Sequence, residues 1–198
     1  MKRLVTAFFC LLVAATLTAA GNVEYYAQRI APLVDPAKLA TLGTRGANPR
    51  VQKYVYWLEM ARRDKVDPGK VVDAALRSGR MNNALAAELT KTAMVRNLTI
   101  AERLGCLNAA ALEEMKRGKS PTVLRGPYSG DQLSVDHIIP RAVVSELDNV
   151  IANLELMPLR MNESKNAKIG QRQQDLAKKL HKAGLLSEHG YQAVERYR

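Results

Sequence analysis

Acidic residues, cysteine and histidine are all scarce in this chain, and each scarcity excludes something. Nineteen Asp and Glu face thirty Lys and Arg, giving the 198 residues a formal charge of +11. Such a surplus points to a polyanionic partner, whether nucleic acid, anionic lipid or a cell-wall polymer, without choosing among them. The only cysteines are Cys10 and Cys106. Cys10 lies in an N-terminal stretch with the layout of a leader, so Cys106 alone remains, no internal disulfide can form, and the fold must rest on its core. A buried thiol is the expectation for Cys106. Histidine occurs three times, as His137, His181 and His189. No zinc-finger pair, internal repeat or low-complexity tract is present.

One apolar run stands out. Lys2 and Arg3 precede a stretch from Leu4 to Leu17, and Thr18-Ala19-Ala20 supplies small residues before Gly21. Positive start, short apolar core and small-residue end describe a secretory signal peptide over residues 1–20, cleaved after Ala20. The run is short for a membrane span and no second anchor follows. The expected product is exported, periplasmic or secreted, with no stable membrane anchor after processing. Cleavage removes Lys2 and Arg3 and no acid, so the mature chain stays strongly basic.

From Asn22 to about Gly118 the pattern is helical. Val23 to about Ala31 forms a first amphipathic segment, stopped near Pro32 and Pro36. Asn48-Pro49 resembles an N-cap with proline at the first helical position, opening a helix to about Arg63. Asp67-Pro68 repeats that signal for a helix to Ser78-Gly79. Asn82 to Leu104 carries apolar residues at spacings of three and four, closed by Gly105, and a short helix covers about Asn108–Arg117. Tyr54, Trp57, Leu58, Val71, Ala74, Leu85, Leu89 and Met94 are expected core. This half, residues 21–120, presents no catalytic cluster. Asn97-Leu98-Thr99 matches a glycosylation acceptor, but its helical setting argues against use.

The texture changes at Lys119-Ser120-Pro121. Two apolar runs, Leu133–Ile139 and Leu154–Met157, read as strands separated by a loop. A helix is expected from about Arg160 to Lys182, broken at Gly184, and a last one from a Ser187 cap to Tyr197. The fold class is therefore α+β and mainly helical: a helical N-terminal region, then a strand–loop–strand–helix unit within residues 121–198.

That second region carries the chemistry. Asp136 and His137 sit side by side at a strand end, Asn153 enters the second strand, and Asn162 and Lys165 follow at the start of a helix. Asp and Asn oxygens suit a hard divalent cation. Neutral imidazole suits removal of a proton from water near neutral pH. Neighbouring strand residues point to opposite faces, so Asp136 and His137 can border one cleft only at a strand end or bulge.

The segments VDHIIPR and NLELMPLRMNESK, with nine residues from Asn153 to Asn162 and an N-x-x-K ending at Lys165, resemble HNH endonucleases. The likeness spans about Tyr128 to Lys168 and implies a ββα-metal (His-Me finger) nuclease core at about residues 128–170. By position it implies that His137 is the general base that activates water, that Asp136 and Asn162 hold one divalent metal, and that Asn153 braces the loop and the imidazole. Asn149 is an alternative brace that breaks the nine-residue interval. Many relatives carry His where this chain has Asn162, often with another His four residues on. Here Asn166 stands four on, a candidate third metal ligand with a solvated helix residue as its rival. Amide oxygen is harder than imidazole, so Mg²⁺ or Mn²⁺ is expected over Zn²⁺.

Lys165, Arg160, Arg141 and Lys168 are candidate phosphate contacts, with Arg125 and Arg172 nearby in sequence; each is also a plausible solvated charge. His181 and His189 read as ordinary surface or packing residues. The expected partner is nucleic acid, DNA in preference to RNA. The expected activity is metal-dependent hydrolysis of DNA phosphodiester bonds with low sequence specificity, leaving 5′-phosphate and 3′-hydroxyl ends. The rivals are a non-catalytic nucleic-acid-binding protein on the same scaffold and a basic binder of envelope polymers.

Overall fold

The computed structural model describes residues 22–165 and 167–197. The leader expected over residues 1–20 and the candidate ligand Asn166 lie outside the described residues. The fold is mainly helical with one small antiparallel sheet, an α+β arrangement. Among the described residues no helix is long and apolar enough to cross a membrane.

Helix α1 covers residues 22–34 and buries Tyr26, Ala27, Ile30, Ala31 and Val34 on one face. It runs through Pro32 rather than stopping there. A proline near the C-terminal end removes a single i→i−4 bond, and the buried Val34 holds the last turn in place. Helix α2, Pro36–Ala40, starts from Asp35, whose side chain accepts from the Ala37 and Lys38 amides. Helices α3 (Asn48–Arg63), α4 (Pro68–Ser78), α5 (Ala84–Arg103) and α6 (Ala109–Lys116) follow. Asp67 caps α4, Asn83 rather than Asn82 caps α5, and Asn108 caps α6. At α3 the capping position belongs to Ala47, with no side-chain bond, and Asn48 is already inside the helix. Its Oδ1 is buried without a partner.

Val51, Tyr54, Val55, Leu58 and Ala61 make a fully buried stripe on α3, at the spacing a core-facing helix needs. Val71, Ala74 and Met94 join them in the interior, whereas Trp57, Leu85 and Leu89 are half-buried. Each fully buried Leu or Met stabilises the fold by about 1.5–3 kcal/mol relative to exposure. Cys106 is buried, and that burial pushes its thiol up to about 11.

Strands β1 (Leu133–His137) and β2 (Leu154–Pro158) pair with Asp136 opposite Glu155 and His137 opposite Leu154. A two-stranded sheet is marginal alone, and here the helices complete it. Asn97 of α5, fully buried, donates from Nδ2 to Leu154 O (3.1 Å) and to the Tyr54 hydroxyl (2.7 Å), and accepts from the Leu156 amide (2.9 Å). Asn97 opens the acceptor-like triplet whose helical setting argues against glycosylation; the fold buries it and commits both ends of its amide to the free edge of β2. On the other side Gln52 of α3 donates to Leu133 O (3.1 Å).

The change of texture near residue 120 is not a break in the packing. One hydrophobic cluster contains α1, α3, α4 and α5 residues together with Val123, Leu133, Val135, Ile151, Leu154 and Leu156. A second joins Ile139, Val144, Leu147 and Ala152 to Ala177, Leu180, Leu186 and Val194. The long helix expected from Arg160 to Lys182 is two: α7 (Leu159–Ser164), packed on the sheet, and α8 (Gln171–Lys182). Lys165 leaves the helix with extended backbone (φ −78°, ψ 98°). Helix α9, Glu188–Arg196, starts from a Ser187 cap.

Among the described residues three non-glycine residues have left-handed backbone, Lys65, Arg80 and Arg45, a conformation costing about 1–2 kcal/mol each. Lys65 and Arg80 follow the ends of α3 and α4, where the next amide returns to the helix (Val66 to Ala61 O, Met81 to Leu76 O). That closing turn demands a positive φ. Arg45 ends no helix.

Candidate active site

His137 is the last residue of β1, and there the alternation of faces stops. Asp136 and His137 both line a cleft of about 600 Å³, together with Ser134, Asn162, Arg45, Asn48, Gln52 and Lys119. Both also line a smaller recess of about 200 Å³ with Arg45, Arg141 and Lys165. The pair that the strand pattern would separate borders a common space because the strand ends at His137.

The imidazole is held from one side. His137 Nε2 lies 3.0 Å from Asp148 O, a backbone carbonyl that can only accept, so Nε2 carries the hydrogen. In the neutral ring Nδ1 therefore keeps its lone pair. Asp148 Oδ1 lies 2.9 Å from the same Nε2, but off the line of the N–H, and no aligned donor reaches that oxygen. The main-chain contact is the hydrogen bond; the carboxylate oxygen beside it acts through its charge.

Asn153 is fully buried and brackets one residue. Its Oδ1 accepts from the Ile139 amide (2.8 Å) and its Nδ2 donates to Ile139 O (3.0 Å), while its own carbonyl accepts from the Ile138 amide (2.8 Å). The chain leaving His137 is thus pinned at two successive residues. Asn149, the alternative brace, works elsewhere. Its Oδ1 accepts from the Ala47 amide (2.9 Å), and its Nδ2 donates to Gly43 O (3.1 Å) and Leu42 O (3.3 Å).

Asp136 is nearly buried, and its Oδ2 is paired with the Lys165 ammonium, which also donates to His137 O at 3.1 Å. Asn162 donates from Nδ2 to Ser134 Oγ (3.1 Å), fixing the orientation of its amide on the cleft wall. Among the described residues no group of three or more His, Cys, Asp or Glu side chains is arranged to hold a metal ion. The oxygens of Asp136 and Asn162 are too few for a cage. They fit a cation such as Mg²⁺, which keeps several waters and takes further ligands from a phosphate. The Lys165 ammonium occupies one oxygen of the Asp136 carboxylate.

The basic residues divide. Arg160 pairs with Asp131, its amide donating to Oδ2 at 2.8 Å and its Nε lying 3.6 Å away. Arg172 pairs with Glu155 (2.6 Å), which Arg96 also approaches (3.2 Å). Arg141 and Lys168 are exposed, and Arg141 borders the smaller recess. His181 stacks on Tyr191 with ring centroids 5.1 Å apart, consistent with packing.

The sequence pattern gives no notice of four residues. Asp148 holds the histidine from eleven positions downstream. Arg45, Asn48 and Gln52 bring a wall from the half of the chain in which no catalytic cluster is expected. The oxygens of Asn48 and Gln52 are buried there without partners. The only local hint is that Asn48 and Gln52 stand four apart, one turn of α3, and so share a face of that helix. Comparisons with protein-family models, with curated proteins and with solved structures returned no match.

Proposed function

We propose that the protein is a metal-dependent endonuclease of the HNH type that hydrolyses DNA phosphodiester bonds with low sequence specificity. The observation that carries this reading is the state of His137. Its Nε2–H is spent on Asp148 O, which leaves Nδ1 as a proton acceptor on a ring that borders the same cleft as Asp136 and Asn162. The antiparallel pair β1–β2 followed by α7 supports reading residues 128–170 as a ββα-metal core.

In this reading His137 takes a proton from water as the water oxygen forms its bond to phosphorus. The bond from phosphorus to the 3′ oxygen breaks, and that oxygen gains a proton from solvent, leaving 5′-phosphate and 3′-hydroxyl ends. Asp136 and Asn162 would hold one Mg²⁺ or Mn²⁺. When bound, such an ion offsets charge on the phosphate oxygens and on the departing 3′ oxygen. With Asp136 so engaged, Lys165 would have to release it, and its ammonium would be available to a phosphate. Asn153 keeps the His137 exit rigid without touching substrate. The basic surface supplies attraction to the phosphate backbone without reading bases.

Plasmid nicking by the protein in Mg²⁺ or Mn²⁺, beside His137→Ala, tests the reading. The expected loss on removing a general base is about 10²- to 10⁴-fold, and equal nicking by both proteins refutes it. The Lys165–Asp136 pair favours one alternative, a nucleic-acid-binding protein whose carboxylate is permanently neutralised from within. Salt-sensitive DNA binding with no cleavage in any metal would select it.

A further inference from the structure

Arg45 occupies a left-handed backbone conformation (φ 55°) with no helix end to account for it. Its loop reads Gly43-Thr44-Arg45-Gly46, and neither glycine is among the residues with positive φ. Gly46 is needed for space, since an added Cβ would fall 2.7 Å from Leu42 Cβ and 2.9 Å from Gly43 O. The chain therefore carries arginine at the very position where glycine would be free of strain. Backbone strain persists only where surroundings over-determine it, and it concentrates at functional sites.

The surroundings here are the histidine's own support. The Arg45 amide donates to Asp148 Oδ2 at 2.9 Å, across 103 residues of sequence. The other oxygen and the carbonyl of Asp148 lie against His137. Asn149 fastens the same loop at Leu42, Gly43 and Ala47. With its amide donating to Asp148, Arg45 lines both the cleft and the smaller recess, each time beside Asp136 and His137. Arg45 is an exposed residue, and its guanidinium forms no ion pair among the described residues. By contrast Arg160 and Arg172, nearer the motif in sequence, are spent on Asp131 and Glu155.

We infer that Arg45 is a phosphate-binding residue of this site, supplied by the helical region and locked to the position of His137 through Asp148. Its ligand is a phosphodiester of the substrate strand at or next to the one His137 addresses. A planar guanidinium can donate two parallel N–H groups to two phosphate oxygens, which fixes the orientation of the phosphate as well as its place. The inference rests on the endonuclease reading.

Arg45→Gly and Arg45→Asn separate strain from function, because both residues tolerate left-handed backbone. Cleavage of a duplex oligonucleotide in Mn²⁺ and the thermal midpoint are measured for each, with Arg45→Lys as the charge-retaining control. The expected result is an unchanged or raised midpoint with kcat/KM lower by about ten- to hundredfold, partly recovered by lysine. Wild-type rates in both variants overturn the inference, as does a loss of activity that tracks a fall in midpoint. If the wild-type protein cleaves no DNA, the endonuclease reading is what fails. Arg45 is then judged by oligonucleotide binding in EDTA. A weaker Kd for Arg45→Gly with a salt slope reduced by about one supports phosphate contact, and an unchanged Kd overturns it.

Discussion

The helical region, residues 22–116, and the strand–loop–strand region, residues 121–165, rely on different kinds of stability. In the first, regular apolar spacing buries whole stripes such as Val51, Tyr54, Val55 and Leu58, and capping side chains satisfy the helix ends. In the second, two five-residue strands have little surface to bury between themselves, and single polar residues hold the backbone: Asn153 on Ile139, Asn97 on Leu154 and Leu156, Gln52 on Leu133. Two of those three come from the helices. The small sheet is therefore a dependent of the helical region, and the candidate site stands on their junction.

The dependence can be broken most directly at Asn97. Asn97→Ala leaves buried groups of Tyr54, Leu154 and Leu156 without partners and should cost about 2–4 kcal/mol. Urea unfolding gives the size, and hydrogen exchange gives the place. β1–β2 amides should lose protection before those of α3, and uniform loss would argue against the dependence. A smaller effect comes from alkali. Cys106 sits where the regions meet, its thiol directed at Leu104 O (3.7 Å) and Thr122 O (3.6 Å). Burial raises it from an ordinary 9.0 to about 11.

The unfolded chain releases that proton first, so stability is complete below pH 9 and falls as pH rises toward 11. The decline attributable to Cys106 is about 2 kcal/mol. Cys106→Ala should flatten that part of the stability curve; an unaltered curve would assign the decline to other groups. The smallest effect is expected at Lys165. Lys165→Gln removes a partly exposed pair and should change stability by less than about 1 kcal/mol. If the proposed endonuclease reading holds, the Mn²⁺ concentration for half-maximal cleavage should nevertheless fall, since Asp136 would no longer have an internal cation to release. A rise in that concentration would instead make Lys165 an aid to metal binding.

Much of the fold is legible in the sequence because it is written in short-range signals. Asp67-Pro68, Asn108 and Ser187 mark helix starts, and each caps a helix. Asn48-Pro49 misleads by one residue: proline is equally at ease one position further into a helix start, and Asn48 turns to the cleft instead of capping. The helix expected across residues 160–182 breaks at Lys165. There the backbone is extended, and the ammonium contacts Asp136 and His137 O.

By itself the sequence determined the positions of α3 to α6 and α9, the two strands, the strongly basic charge and the order Asp136, His137, Asn153, Asn162. These follow from periodicity and caps, which act over a few residues and can be read along the chain. Only the tertiary structure decided which nitrogen of His137 is free, what holds it, and that Arg45 shares its cleft. Asp148 touches His137 across a loop and Arg45 across 103 residues. Contacts at such separations arise from packing of the shared core, and no local pattern of residues encodes them.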